Sequence, residues 1–126
     1  MTQSFDQDIL KAFDQTAEIE IETSRGEGAP VHRTTIWIVV DGDAAYVRSV
    51  RGPAGRWFRE MVANPSGAVH VGGSTVPVRT HAAADPASVA RVSDAIKEKY
   101  EARWPGPTAS MLREETLATT LRLEPR

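Results

Sequence analysis

A chain of 126 residues, 40% hydrophobic and 25% charged, has the size and balance of one globular domain over residues 1–126 and is too apolar for a disordered segment. Its net charge of -2 and pI of about 5.9 argue against a nucleic-acid partner, and the absence of cysteine excludes disulfides, thiolate metal sites and thiol nucleophiles. The longest apolar run, Ile36 to Val40, is five residues against the ~18 a membrane span needs, and no secretory pattern opens the chain, so a cytoplasmic protein with no membrane span is expected.

Ser4 with Gln7 three residues on has the form of a capping box, opening a short helix to about Asp14 with Phe5, Ile9 and Phe13 on one face. Residues 17–22 then alternate strictly, a strand with one acidic face. The glycine-rich stretch 24–30 is a loop, and Thr34 to Val40 is β-branched and aromatic, a central strand. Asp41-Gly42-Asp43 turns it back into a strand from Ala44 to Val50. Arg56 to Ala63 reads as a two-turn helix stopped by Asn64-Pro65. Residues 68–71 and 75–79 flank Gly72-Gly73 as a second hairpin, and Pro77 assigns its strand to an edge or a bulge. Asp85-Pro86 opens the longest helix, which carries Val89, Val92, Ile96 and Tyr100 and ends before Trp104-Pro105. A short helical turn near Ser110 to Arg113 and a last strand, Thr116 to Leu123, complete the pattern.

Six strands joined mainly by hairpins, with helices inserted, suit an α+β fold: a six-stranded antiparallel split β-barrel with flanking helices. So small a barrel is filled by its own side chains, which leaves its outside or a subunit seam for a ligand.

Charge is segregated along the chain. Residues 1–30 carry a net -5, residues 31–81 a net +3 built on six arginines, and the remainder is balanced. An arginine-rich island in an acidic chain suits a small anionic ligand. The usual catalytic signatures are missing. His32, His70 and His81 show no metal-ligand spacing, no nucleophile elbow or phosphate-loop motif occurs, and Asp41 and Asp43 are explained by their turn. What remains is Tyr46 to Trp57, where a strand ends in Arg48-Ser49-Val50-Arg51-Gly52 and a helix opens with Arg56-Trp57. Backbone N–H groups at a helix start, a serine hydroxyl and two or three guanidinium groups make a phosphate cradle. Alternation puts Arg48 and Val50 on one strand face and Val47 and Ser49 on the other. The competing reading takes Arg51 and Arg56 as solvated loop residues and Trp57 as a core anchor.

From Gly26 to Val71 the chain resembles the flavin and deazaflavin oxidoreductases of the split β-barrel, pyridoxamine-phosphate-oxidase-like superfamily, nearest the deazaflavin-dependent nitroreductase branch. The resemblance is carried by Arg25-Gly26-Glu27-Gly28, Arg33-Thr34-Thr35-Ile36, Ser49-x-Arg51-Gly52, Trp57-Phe58 and Ala63-Asn64-Pro65. As a whole the chain looks most like a small uncharacterised family within that superfamily. The resemblance implies coenzyme F420 or FMN as cofactor. Arg33 and Thr34 would lie at its phosphate or neighbouring hydroxyls, Ser49, Val50, Arg51 and Gly52 at the ring edge and phosphate, Arg56 would close over the anion, and Trp57 would brace the loop from behind; Arg48 joins the cofactor-binding candidates from its strand face. It further implies a homodimer with the cofactor at the seam, and hydride transfer to a small aromatic or quinone-like acceptor without a catalytic residue or a metal from the protein. Glu27 in the glycine loop, Thr35 where those proteins carry proline, and the lack of counterparts to their substrate-pocket tyrosines motivate a different class: a non-redox split-barrel binder of a small anionic or phosphorylated ligand.

Overall fold

The computed structural model describes residues 4–126. In chain order it contains α1 (Gln7–Gln15), β1 (Ile19–Ser24), β2 (Val31–Ile36), β3 (Val39–Asp41), β4 (Ala44–Val47), a 3₁₀ turn at Gly52–Ala54, α2 (Arg56–Ala63), β5 (Ser66–Val71), β6 (Ser74–Ala82), α3 (Pro86–Tyr100), α4 (Pro105–Met111), α5 (Glu114–Leu117) and β7 (Leu121–Pro125). All strand pairs are antiparallel, in the order β2-β1-β5-β6-β7-β4-β3. The sheet has seven strands rather than the expected six.

The extra strand comes from a break at Trp37-Ile38. β2 and β3 are consecutive in the chain yet form opposite edges of the sheet. Three residue steps from Ile36 to Val39 reach about 10 Å, so the sheet must curl until its edges nearly meet there. The backbone freed by this switch is satisfied from α3. Ile38 N donates to the Tyr100 hydroxyl at 3.3 Å, and Lys99 Nζ donates to the Ile38 carbonyl at 2.6 Å and to that of Phe13 at 2.8 Å. Burial lowers the Lys99 ammonium from 10.5 to about 8, and Asp14 opposes the shift. A buried carbonyl without a partner would cost free energy comparable to a lost hydrogen bond, so these two side chains make the switch possible.

One core fills the concave side. Ile19 and Ile21 of β1, Val69 and Val71 of β5, Val76 and Val78 of β6 and Leu121 and Leu123 of β7 meet Leu10 and Phe13 of α1 and Trp57 and Met61 of α2. A second cluster packs α3 through Val92, Ile96 and Tyr100 onto Val39 and Tyr46. The interior is thus occupied by side chains, which leaves the outside for a ligand.

Several local expectations shift. Ser4 caps nothing: the N-cap of α1 is Asp6, and the Ser4 hydroxyl donates to Asp43 at 3.0 Å. Pro77 lies on β6, an interior strand, because its carbonyl accepts from Arg126 N beyond the last β7 pair, and its missing N–H falls outside the ladder. The segment from Thr116 is not extended. Thr116, Thr119 and Thr120 turn their hydroxyls onto nearby carbonyls, closing α5 and a turn before β7 begins at Leu121. The expected strand to Val50 stops at Val47, so Arg48 and Ser49 are both buried and the predicted alternation between them is lost.

Candidate functional site

The break between the sheet edges, the segment after β4, the start of α2 and the α3–α4 junction surround a cleft of about 870 Å³. That lies within the ~300–1,000 Å³ typical of small-molecule sites. Seven of the nine residues singled out from sequence line it: Thr34, Arg48, Ser49, Val50, Arg51, Arg56 and Trp57.

Arg33 and Gly52 do not join them. Paired strands place Thr34 opposite Ile21, on the inner face, and Arg33 opposite Glu22, on the outer face. There Arg33 donates to Glu20 at 2.7 Å and lines a separate polar groove of about 570 Å³. Gly52 is buried with φ +65°, and a Cβ there would approach the Glu115 carbonyl oxygen to 2.9 Å. It shapes the turn beneath the cleft. The loop from Arg25 to Gly28 lines neither the cleft nor the groove.

The turn before α2 is held by backbone and serine. Ser49 N donates to Thr119 Oγ1 at 2.9 Å, the Ser49 hydroxyl donates to the Gly52 carbonyl at 2.9 Å, and Gly55 N to the same carbonyl at 3.1 Å. A Cβ at Gly55 would clash with the Ser49 hydroxyl, so any side chain there would displace the serine that holds the turn. Gly55 then caps α2 with no side-chain hydrogen bond, so the N–H groups of the first turn lack a side-chain acceptor.

The three arginines of the cleft differ. Arg48 is 1% exposed and spends four hydrogen bonds on neutral acceptors, from Nε to Thr120 Oγ1 at 2.9 Å, Nη1 to Ser93 Oγ at 3.0 Å and the Met111 carbonyl at 3.1 Å, and Nη2 to the Val89 carbonyl at 3.3 Å. It ties the end of β4 to α3, α4 and the last turn. No carboxylate faces it among the described residues, and burial lowers its pKa to about 10, still charged at neutral pH. Arg51 and Arg56 are exposed and have no ion-pair partner among the described residues. Across the cleft, Thr34 Oγ1 is buried without a hydrogen-bond partner. Trp57 is 6% exposed and belongs to the core while bordering the cleft, consistent with a brace.

Residues that sequence reasoning passed over complete the site. Trp37, Trp104, Pro107 and Met111 form an apolar wall, and Glu18 is the one acid lining it. Trp37 could be found only by seeing that its strand breaks. Beneath α2, Glu60 is 4% exposed, accepting from Thr23 Oγ1 at 2.7 Å and facing His32 Nδ1 at 2.9 Å. Burial would raise the Glu60 carboxyl, but the hydrogen bonds from Thr23 and His32 outweigh it and hold the group below its ordinary value. This cluster bolts α2 to β1 and β2. His70 and His81 likewise pair with Glu22 and Glu124, and no group of residues suited to a metal ion occurs among the described residues.

A family described as "Uncharacterized protein conserved in bacteria (DUF2255)" matches residues 9–123. No curated protein matches the chain. Among solved structures, HutZ, the heme storage protein from Vibrio cholerae, is similar with a TM-score of 0.69 at 13% identity, covering 98% of this chain and 92% of that one. An F420-H2 dependent reductase (FDR-A) gives 0.65 at 13% identity, covering 88% and 96%. A candidate pyridoxamine 5'-phosphate oxidase from Listeria innocua gives 0.61 at 15% identity, covering 92% and 87%. At such identities the likeness is one of fold, the pyridoxamine-phosphate-oxidase-like split barrel.

Proposed function

The chain belongs to the DUF2255 family, and from its split-barrel fold and the donors of its cleft we propose that it is a flavin- or deazaflavin-dependent oxidoreductase acting on a small acceptor. The observation that carries this reading is the pairing of Arg51 and Arg56, neither with an ion-pair partner among the described residues, with the uncapped start of α2 on one cleft wall. Two guanidinium groups and first-turn N–H groups are the donors a phosphate dianion needs. The orphaned Thr34 Oγ1 supplies a further polar contact for a ring edge or ribityl hydroxyl. FMN or coenzyme F420 suits this donor set. Haem suits it less, since of the side chains that hold haem iron the cleft offers only the Met111 thioether.

When bound, such a cofactor supplies the hydride. The protein's part is positional. Arg51, Arg56 and the start of α2 hold the anion, Thr34 orients, and Trp57 keeps the loop in place from the core. Arg48 adds a fixed positive charge that water cannot screen well, because it is buried. We propose a homodimer with the cleft at its seam; the filled concave side of the sheet leaves the outer surface to the ligand, which is compatible with that arrangement.

Titration of the purified protein with FMN and with F420, followed by tryptophan fluorescence and by cofactor absorption, tests the proposal. Binding of either in the micromolar range, with a reduced cofactor reoxidised by a quinone such as menadione, is the expected result. Binding of inorganic phosphate or simple phosphate esters with no affinity for either cofactor would replace it with the non-redox binder of a phosphorylated ligand.

A further inference from the structure

The β4–β7 ladder ends where Val47 pairs with Leu121, yet the two segments stay in register beyond it through side chains. Continued, that register sets Arg48 opposite Thr120 and Ser49 opposite Thr119, and in both pairs a threonine hydroxyl makes the contact. Thr120 Oγ1 accepts from Arg48 Nε and Thr119 Oγ1 from Ser49 N, each at 2.9 Å. The segment from Arg113 reaches the next residues of the turn. Arg113 Nη2 donates to the Val50 carbonyl at 3.2 Å, and the Glu115 carbonyl lies against Gly52. Residues 113–120 thus hold Arg48, Ser49, Val50 and Gly52, and they pass over Arg51.

Arg51 sits at φ -86° and ψ 4° in a turn closed from Gly52 N to the Ser49 carbonyl at 2.9 Å, the third position of a type I turn. Its N–H has no acceptor among the described residues. The peptide bonds are trans, so the Arg51 N–H points opposite to the Val50 carbonyl. That carbonyl faces Arg113, which does not line the cleft, whereas Val50 and Arg51 do. The Arg113 charge is itself met by Glu115, Nε to Oε1 at 3.2 Å. What Arg113 contributes to the cleft is therefore the direction it gives the Val50–Arg51 peptide.

We propose that Arg113 is a positioning residue for the anion: by holding the Val50 carbonyl it aims the Arg51 amide into the cleft, beside the Arg51 and Arg56 guanidinium groups and the first turn of α2. A backbone donor fixed in this way belongs to a preformed cradle and needs no reorganisation when the anion arrives. The inference rests on the reading of the cleft as an anion site and is independent of any redox role.

Titration of the ¹⁵N-labelled protein with inorganic phosphate gives a readout independent of activity, the Arg51 amide and the Arg56 Nε–H signals being followed separately. An ion pair as exposed as that of Arg113 and Glu115 adds little stability, so Arg113→Ala should stay folded. In the parent protein both signals should shift. In Arg113→Ala phosphate should bind roughly five-fold more weakly, and at saturation the Arg56 signal should still shift while the Arg51 amide no longer does. Arg113→Lys keeps a donor and the charge, and should retain both shifts. An Arg51 amide that ignores phosphate in the parent while Arg56 responds would overturn the proposal. So would equal loss in the lysine and alanine variants, or an Arg51 shift that survives at saturation in Arg113→Ala, which would leave only a long-range effect of charge. Silence of both signals in the parent would remove the anion site itself, and the proposal with it.

Discussion

Gly52 occupies the left-handed region with a backbone carbonyl 2.9 Å from where a Cβ would sit. Gly52→Ala should therefore lose at least ~1–2 kcal/mol from conformation alone, more with the displacement of Glu115, and urea unfolding should show it as a lower midpoint with an unchanged slope. Arg51→Ala and Arg56→Ala act on binding instead. Each removes a charge-assisted contact of ~1.5–3 kcal/mol, so each should weaken FMN or F420 roughly ten- to hundred-fold. Arg33→Ala, on the opposite sheet face and bonded to Glu20, should leave that affinity unchanged. Equal losses at all three positions would show that the effect is net charge rather than site geometry. Glu60 carries a pH signature. Its folded carboxyl lies below its ordinary value of 4.5, so the stability it contributes is complete above that value and disappears as pH falls through the lower folded one. Glu60→Gln should be less stable than the parent at neutral pH, and the difference should narrow on acidification below about pH 4.5, as thermal unfolding across pH 3–7 would show.

Between elements, the Tyr100 hydroxyl connects α3 to the link between β2 and β3 over 62 positions of sequence. Tyr100→Phe leaves the Ile38 N–H unpaired in a buried place at a cost of ~1–3 kcal/mol. It should also loosen Trp37, whose ring stacks on that of Tyr100, so near-ultraviolet circular dichroism should weaken along with the unfolding midpoint. The same link explains which elements could be foreseen. α2 and α3 carry their boundaries in local residues: Asn64-Pro65 stops one, and Asp85 with Pro86 starts the other, Asp85 accepting from Ser88 N at 3.0 Å. The Gly72-Gly73 hairpin is equally local. The break after Ile36 is not, because the partners that satisfy it are Lys99 and Tyr100, and a β-branched run with no turn residue gives no sign of them. Thr116, Thr119 and Thr120 misled in the opposite direction, since their hydroxyls stabilise tight turns that the β preference of threonine conceals. Within the site, the Arg48-to-Trp57 stretch was legible because its donors lie close in sequence. Arg33 falls outside the cleft because pleat parity is fixed by pairing with β1, and the place of Trp104 on the cleft depends on the meeting of α3 and α4.

At the scale of the whole molecule, the sheet has two free edges, β2 and β3, around four strands paired on both sides besides β4. Hydrogen exchange should be slowest in β1, β5, β6 and β7 and faster in β2 and β3, where one side of each strand has no neighbour. Uniform protection of β2 would place another chain against it. Sedimentation should give twice the 13.7 kDa of the single chain if the cleft lies at a dimer seam. Arg48 has a further consequence at this scale. Its guanidinium is enclosed, its hydrogen bonds go only to neutral oxygen atoms, and it has no ion-pair partner among the described residues. Capture of a phosphorylated ligand that survives replacement of both Arg51 and Arg56 by alanine should therefore depend less on ionic strength than capture by the parent protein, because an enclosed charge is screened less by salt.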